Sequence, residues 1–462
     1  MKKLCLITLL MCFIATCTAC GNKESQIAST EKNAEENASE EESKETQDTE
    51  KVQEDSSSES NEDAQEDTQN EAKDPVETVE KPQVLSLQET RNAKYEGIND
   101  FEKFLMISKF NYVSFWEGKE AYPQMERTLS EMAGMITRTQ EDEADNIISF
   151  AEEMFDIAGG NFETQISTSD VQIRRADSVA VSYLTDSYAN YGFIEDFRGM
   201  WGSNYDTQTG EELLLNDVIK DMTEVPVLVT KELNSHLWAG EGYEETVIED
   251  YFRNTPVDGI SWTLDYNGVT FYFGDGDITE PGNGGQTATI SFAEYPELFE
   301  EKYMNVPDAY MVRLPLDLSF FPDLDGDVTL EELNVSGVYN ADGRFYSQFG
   351  IYTDTDGYYH YEDFYAYGYN PYYVKTADDK HYLYMFCEEN DADNRQMILV
   401  VFDVSDGQFV RVGEMNAAPA YIPSDNFILP LNPDNLLLDN FDSMEQDFGT
   451  YMVGKDGMPV RK

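Results

Sequence analysis

The chain of 462 residues carries 91 Asp and Glu against 31 Lys and Arg, a formal net charge of −60. Such a chain repels phosphate backbones and anionic lipid surfaces, which excludes nucleic acid as a partner and a polybasic grip on membranes. The charge fits solubility outside the cell and cationic partners, either a basic protein or a divalent metal.

Lys2 and Lys3 precede an apolar run, LCLITLLMCFIATCTA, too short to span a bilayer comfortably and laid out as a secretory signal. The run closes on Cys17-Thr18-Ala19-Cys20-Gly21. Small residues before a cysteine and a glycine after it resemble the lipobox of bacterial lipoproteins, with Cys17 standing where leucine is usual. The resemblance implies a signal peptide over 1–19, cleavage before Cys20 and fatty acylation of its thiol. It also implies anchoring through diacylglyceryl-Cys20 on the extracytoplasmic face of the cell membrane. An ordinary signal peptide with an incidental cysteine is the alternative. Cys5, Cys12 and Cys17 leave with the signal, so Cys20 and Cys387 cannot build a disulfide framework. Cys387 sits in the alternating run YLYMFCEE and reads as a buried structural thiol.

Residues 20–83 hold Glu, Ser, Asn, Gln, Thr, Asp and Lys with no aromatic residue. A segment so poor in apolar surface cannot offset its ordering entropy and reads as a disordered acidic tether. From Tyr95 onward aromatic residues are frequent, and roughly 370 residues suffice for two domains with their own cores.

The first domain is predicted over 84–304 as mixed helix and antiparallel sheet. Met125, Leu129, Met132 and Ile136, then Ile147, Ile148, Ala151, Met154 and Phe155, fall at helical spacing between Tyr122 and a Gly159-Gly160 stop. Alternating runs come next in FETQIST and VQIRRADSVAVSYLTDSY. NYDTQTGEELLLNDVIKD reads as strand, Thr209-Gly210 turn, strand and a short helix capped by Asn216, and TKELNSHLWAG as further helix. A hairpin on Asn267-Gly268, a glycine loop and a closing strand complete the domain.

Two parts of this region carry a resemblance: Tyr205-Asp206 with Thr209-Gly210 and Leu213/Leu215, and GVTFYFGDGDI…TATISFAEYPELF. Together they resemble a domain of unknown function in the extracellular part of lysozyme-sensing anti-sigma-V factors and at the N-terminus of some peptidoglycan deacetylases. The resemblance implies an α+β ligand-binding domain. Family members carry a Gly-Gly-Ala-His-Gly loop where this chain reads NYGFIEDFRGMWGSN, without histidine.

Residues 305–462 read as all β, propeller-like or sandwich. DLDGD, NADGR, DTDGY, TADDK, VSDGQ and GKDGM punctuate aromatic and β-branched runs, and Asp-Gly between alternating strands is a hairpin signal. This half resembles the β-rich C-terminal regions of clostridial surface lipoproteins. The fold class expected for the whole chain is therefore α+β.

His236, His360 and His381 form no close-spaced zinc pair, and no nucleophile elbow or phosphate loop is present. GYYHYEDFYAYGYNPYYV, 357–374, is the densest aromatic run, and alternation turns one set of its tyrosines outward. Such a set either covers a small β domain or binds sugars or a protein partner.

DLDGDVTLEE packs acids around one glycine. In an EF-hand register Phe321 takes the first position, where a carboxylate belongs. In a β-hairpin register Asp323, Asp325 and Asp327 alternate as ligands, a carbonyl near Thr329 adds one, and Glu331 closes the set. That register resembles the Asp-x-Asp-Gly-Asp-Gly loops of calcium-binding β-propeller repeats, with Val328 in place of the second glycine. The alternatives are a calcium site and a solvated acidic turn.

Two function classes remain open. One is a non-catalytic, lipid-anchored binding module for a cell-envelope or host-derived ligand, either a peptidoglycan fragment or a basic protein such as lysozyme. The other is an enzyme or accessory subunit of peptidoglycan modification. No catalytic residue can be assigned, and apart from calcium no cofactor is expected.

Overall fold

The computed structural model describes residues 80–97, 104–158, 162–191, 197–237, 242–340, 345–389, 397–422, 426–440 and 447–462. The signal peptide, Cys20, the tether up to residue 79 and the Gly159-Gly160 stop lie outside the described residues. The chain divides into two units, Met1–Glu80 and Lys81–Lys462, and the second holds the folded elements.

Its first part runs β1 (Ser86–Gly97), β2 (Phe104–Glu117), α1 (Pro123–Ala158), β3 (Gln165–Ala176), β4 (Ala180–Asn190) and β5 (Phe197–Asp206). Next come α2 (Leu215–Val218), α3 (Val225–Ser235), α4 (Glu245–Asn254), β6 (Trp262–Leu264), β7 (Gly268–Phe273), β8 (Gln286–Ser291) and α5 (Glu301–Met304). From here the described elements are strands and one 3-10 turn: β9 (Tyr310–Arg313), β10 (Ser319–Phe320), β11 (Leu333–Tyr339), β12 (Tyr346–Thr353), β13 (Tyr359–Ala366), β14 (Gly368–Lys375) and β15 (His381–Glu388). The remainder are β16 (Met397–Asp403), β17 (Val410–Met415), β18 (Ala417–Pro419), β19 (Tyr421–Ile422), β20 (Asn426–Ile428), β21 (Leu436–Asn440), β22 (Asp447–Val453) and β23 (Pro459–Arg461). The class is mixed α+β with a largely β C-terminal region, as the sequence predicts.

A seven-stranded sheet has the order β19-β20-β1-β2-β3-β4-β5. Its β2–β3 pair is parallel, from Met106↔Gln165 to Phe110↔Ser169, while the other pairs are antiparallel. A parallel pair needs a long crossover, and α1 supplies it. Met125 and Leu129 of α1 join a core with Leu87, Phe115, Ile173 and Tyr183. The middle of the helix is not apolar. Gln140 is buried, and its Nε2 donates to Asn92 O at 2.8 Å and Ser108 Oγ at 3.2 Å beneath the helix, while its Oε1 has no hydrogen-bond partner among the described residues.

The sheet β6-β7-β8 packs Leu264, Phe271, Phe273 and Ile290 against Val225, Val229 and Ile248 of α3 and α4. Each such side chain contributes about 1.5–3 kcal/mol by leaving water. Gly202 of β5 lies so close to β6 that a Cβ there would stand 1.6 Å from Trp262 O. The expected cap at Asn216 is corrected: Leu214 is the N-cap of α2, and its N–H donates to Asp217 Oδ2 at 2.8 Å. Asn216 lies inside that first turn, where Asp217, three residues past the cap, is the side chain placed to reach back.

Three antiparallel sheets complete the chain: β10-β11-β12-β13, β17-β16-β15-β14-β9 and β18-β21-β22-β23. Leu383, Met385 and Cys387 of β15 face one core with Phe349 and Ile351, while Tyr382, Tyr384 and Phe386 face another with Leu436 and Leu438. The middle sheet is thus covered on both faces, which is why this strand reads as a nearly unbroken apolar run. Cys387 is a buried free thiol, in accord with the sequence.

Two buried arginines fasten the end of β3 to later parts of the chain, one through an ion pair and one through a backbone carbonyl. Arg174 grips Asp265 with Nη2–Oδ2 at 2.6 Å and Nε–Oδ1 at 3.3 Å. Arg175 reaches Asp177 Oδ2 at 2.8 Å and donates to Tyr303 O at 2.6 Å.

Candidate functional site

The acidic stretch is a hairpin loop. Ser319 and Phe320 of β10 pair with Asn334 and Leu333 of β11, so strands bracket it where an EF-hand would have helices. Leu324 and Leu330 are buried and pin the loop to the body, and Glu331 N donates to Pro322 O at 2.8 Å. The acids between fold back on the backbone. Asp323 Oδ1 accepts from Gly326 N at 2.7 Å, Asp325 Oδ1 from Asp327 N at 3.0 Å, and Asp327 Oδ1 from Thr329 N at 2.9 Å. These Asx-type turns make Asp the suitable residue at each of the three positions. Thr329 thus joins the group through its N–H.

Carboxylate oxygens of Asp323, Asp325, Asp327 and Glu331 all lie within 4.8 Å of one another. Like charges so close disfavour ionisation. Burial pushes Glu331 up to about 7, the charges of Asp325, Asp323 and Asp354 add to that, and the Leu324 N–H opposes it. Burial raises Asp323 as well, with Asp325 and Asp327 contributing. Four convergent hard oxygens are a donor set that suits calcium. Gly326 at φ 78 takes the left-handed turn freely, whereas Val328 at φ 74 is a β-branched residue in the same region.

The same sheet carries a tyrosine face. Inward alternation gives Phe349, Ile351 and Ala366 to the core, and the opposite set points out. Tyr361 and Tyr365 of β13 are 56% and 68% exposed, while the exposed Tyr358 and Tyr367 flank that strand and the exposed Tyr339 ends β11. On the outer face a Cβ on Gly350 would come within 2.8 Å of the Tyr361 ring, whereas on the inner face Gly337, paired with the buried Phe349, makes room for Tyr346, which packs on the core. Tyr359 stacks on Tyr361 at 5.8 Å and 22°, and Tyr339 on Tyr346 at 4.2 Å and 25°. Because β13 ends its sheet, the platform is open along one edge.

Beside the acidic loop, a pocket of about 100 Å³ opens between the C-terminal end of α3, the start of β8 and the strand β10. Glu232, Asp317 and Glu332 line it together with His236, Leu233 and Phe321. Burial raises all three carboxyl groups. Glu331 and Glu332, adjacent in sequence, serve the two features separately: Glu331 closes the acidic loop and Glu332 accepts from Ser319 in the pocket.

The histidines do not meet. His236 Nδ1 lies 2.9 Å from Asp354 Oδ2, His360 pairs with Asp356, and the buried His381 shares a hydrogen bond of 2.6 Å with Tyr373. Sequence reasoning missed Glu232, Asp317, Glu332 and Asp354, which looked like any of many acids, and only the tertiary fold gathers the first three.

No protein-family model matches the chain, and no curated protein matches it. Among solved structures it is similar to a DUF3298 family member from Bacteroides fragilis NCTC 9343. That likeness has 12% identity and a TM-score of 0.36, covering 48% of this chain and 96% of that one. It is also similar to a DUF3298 family protein from Pseudomonas aeruginosa PAO1, at 15% identity and TM-score 0.33, covering 49% and 99%. These neighbours are bacterial proteins of a family of unknown function.

Proposed function

We propose that this chain is a non-catalytic binding module, anchored outside the cell by lipid on Cys20, whose tyrosine face takes a cell-envelope ligand. The observation that carries it is the ring of Tyr361 lying over Gly350 and stacked on Tyr359, with the exposed Tyr365 on the same edge strand. Proteins rarely leave such rings in water without use, and flat aromatic surfaces stack on the apolar faces of sugars. A peptidoglycan fragment therefore suits the face better than a basic protein such as lysozyme. The resemblance of 84–304 to the extracellular domain of anti-sigma-V factors and the lipobox around Cys20 support an extracytoplasmic setting.

Asp323, Asp325, Asp327 and Glu331 would hold calcium in this setting, with the carbonyl near Thr329. The ion would neutralise the loop and brace the β10–β11 hairpin, with affinity on the order of 10⁻⁴ to 10⁻³ M as in extracellular modules. Melting of the wild type and Asp325→Ala in millimolar calcium and in chelator tests this. Calcium should raise the wild-type melting point alone, and equal values in all four samples would leave an acidic turn.

Calorimetry with soluble muropeptides and with lysozyme, beside a muropeptide turnover assay, tests the function. Heat with muropeptides and no turnover is expected. Turnover, or heat with neither ligand, would overturn it. Detergent partitioning that survives Cys20→Ser would remove the anchor.

A further inference from the structure

The outward face of the edge strand β13 is not uniformly aromatic. Tyr359, Tyr361 and Asp363 pair with Tyr352, Gly350 and Gln348 of β12, and Tyr365 follows beyond a register shift. The rings fall into two groups. Tyr359 meets Tyr352 at 5.1 Å and Tyr361 at 5.8 Å, and Phe345 meets Tyr365 at 5.9 Å and Tyr367 at 6.2 Å. Between the groups the exposed Asp363 accepts from Nε2 of Gln348, so a polar rung separates two aromatic steps. Tyr361 and Tyr365 lie about 13 Å apart at the rise of a strand, farther than one pyranose ring reaches. A single sugar therefore meets one group, whereas a chain of linked rings meets both and passes over the rung. Charge narrows the kind of chain. None of the strands β10, β11, β12 and β13 carries a lysine or an arginine. Arg411 is held by Glu362 of β13 at 3.4 Å and by Glu414 at 2.6 Å. The turn 341–344, outside the described residues, holds Asp342 and Arg344 and adds no net charge. A face with its own carboxylate and no cation in its strands disfavours anionic polymers and matches uncharged sugar rings.

We propose that this face reads the uncharged glycan backbone of its ligand over several linked sugar rings, with Gln348 and Asp363 bonding the hydroxyl or acetamido groups of a ring between two that stack. The inference rests on the tyrosine face as the binding surface and assigns what that face recognises. Tyr361 over Gly350 and Tyr365 beside Phe345 take the apolar ring faces. Asp363 accepts hydroxyl protons, and Gln348 both donates and accepts, which suits sugar groups that do both. The peptide stem of a wall fragment, which offers charged groups and no flat apolar face, stays off this surface.

Ligand-observed NMR of the full chain with N-acetylglucosamine, with its β-1,4-linked tetramer and with a wall stem peptide tests the proposal. The tetramer should bind roughly tenfold or more tighter than the monosaccharide, because its second ring contact is intramolecular. The stem peptide should not bind. Gln348→Ala/Asp363→Ala should lose severalfold on the tetramer and little on the monosaccharide, with unchanged circular dichroism. If the double variant does not fold, Asp363→Ala alone, which removes an exposed side chain, should narrow the same ratio. Equal affinity for monosaccharide and tetramer, an unchanged ratio in the folded variant, or a stem peptide that binds as tightly as the tetramer would overturn the inference. Muropeptide heat without a tetramer signal would overturn it and leave the tyrosine face as a binding surface. No signal from either ligand would remove both.

Discussion

His236 and Asp354 stand 118 residues apart in sequence, yet Nδ1 of one lies 2.9 Å from Oδ2 of the other. The contact ties the end of α3 to the turn after β12. Asp354 Oδ1 is buried with no hydrogen-bond partner among the described residues, so the carboxylate leans on the imidazole. His236→Ala should therefore cost about 1–3 kcal/mol, the usual penalty of leaving a buried polar group unsatisfied. Urea unfolding measures it, and a midpoint equal to wild type would contradict it.

Val328 predicts the opposite sign. A β-branched residue at φ 74 pays roughly 1–2 kcal/mol in left-handed backbone, and Val328 is half exposed, so little burial offsets that. Glycine gives back part of the gain through the freedom of the unfolded chain. Val328→Gly should stabilise by about 0.5–1 kcal/mol net. A lower melting point would show that the valine side chain matters more than the turn.

The Arg174–Asp265 pair is buried on both sides. Removing one partner leaves the other charge without compensation, which costs about 3–5 kcal/mol, far more than a surface pair. Asp265→Ala should fold poorly or melt much lower, whereas Glu249→Ala, which only loosens the exposed Arg253 contact, should change little. Comparable losses for the two variants in thermal melts would contradict this ranking.

Stability should also depend on His381. Burial, with Lys375 adding to it, lowers the imidazole to about 4, and Asp379 and Asp403 oppose the shift, while Lys380 reinforces it. The unfolded chain binds this proton near 6.5, so its contribution is full above that pH and is lost as pH falls from about 6.5 towards 4. The loss is on the order of 2–3 kcal/mol. Other acids titrate in the same window, so the reading is the difference between wild type and His381→Gln. The wild type should weaken more steeply on acidification, and parallel curves would remove His381 from the account.

What the sequence made legible was local. The helix of α1, the Asn267-Gly268 hairpin, the buried Cys387 and the outward tyrosines all derive from period, turn residues and alternation. The Asx turns of the acidic loop belong to the same level, since Asp323, Asp325 and Asp327 bond backbone within five residues. The parallel β2–β3 pairing, the partner of Arg174 and the pocket of Glu232 and Glu332 were not legible. Each depends on which distant segments meet, and one acid among 91 carries no mark of its future neighbour. The Leu214 cap was missed because Asp217 reaches back to an apolar residue, where a polar cap is the usual signal.

Retention on purified sacculi, compared between the wild type and Tyr361→Ala/Tyr365→Ala, tests the central claim most directly. Both rings are exposed, so their loss should leave stability within about 0.5 kcal/mol of wild type. Stacking on sugar should fall sharply, with retention down tenfold or more. Equal retention by the two proteins, or none by the wild type, would contradict a binding module built on the tyrosine face.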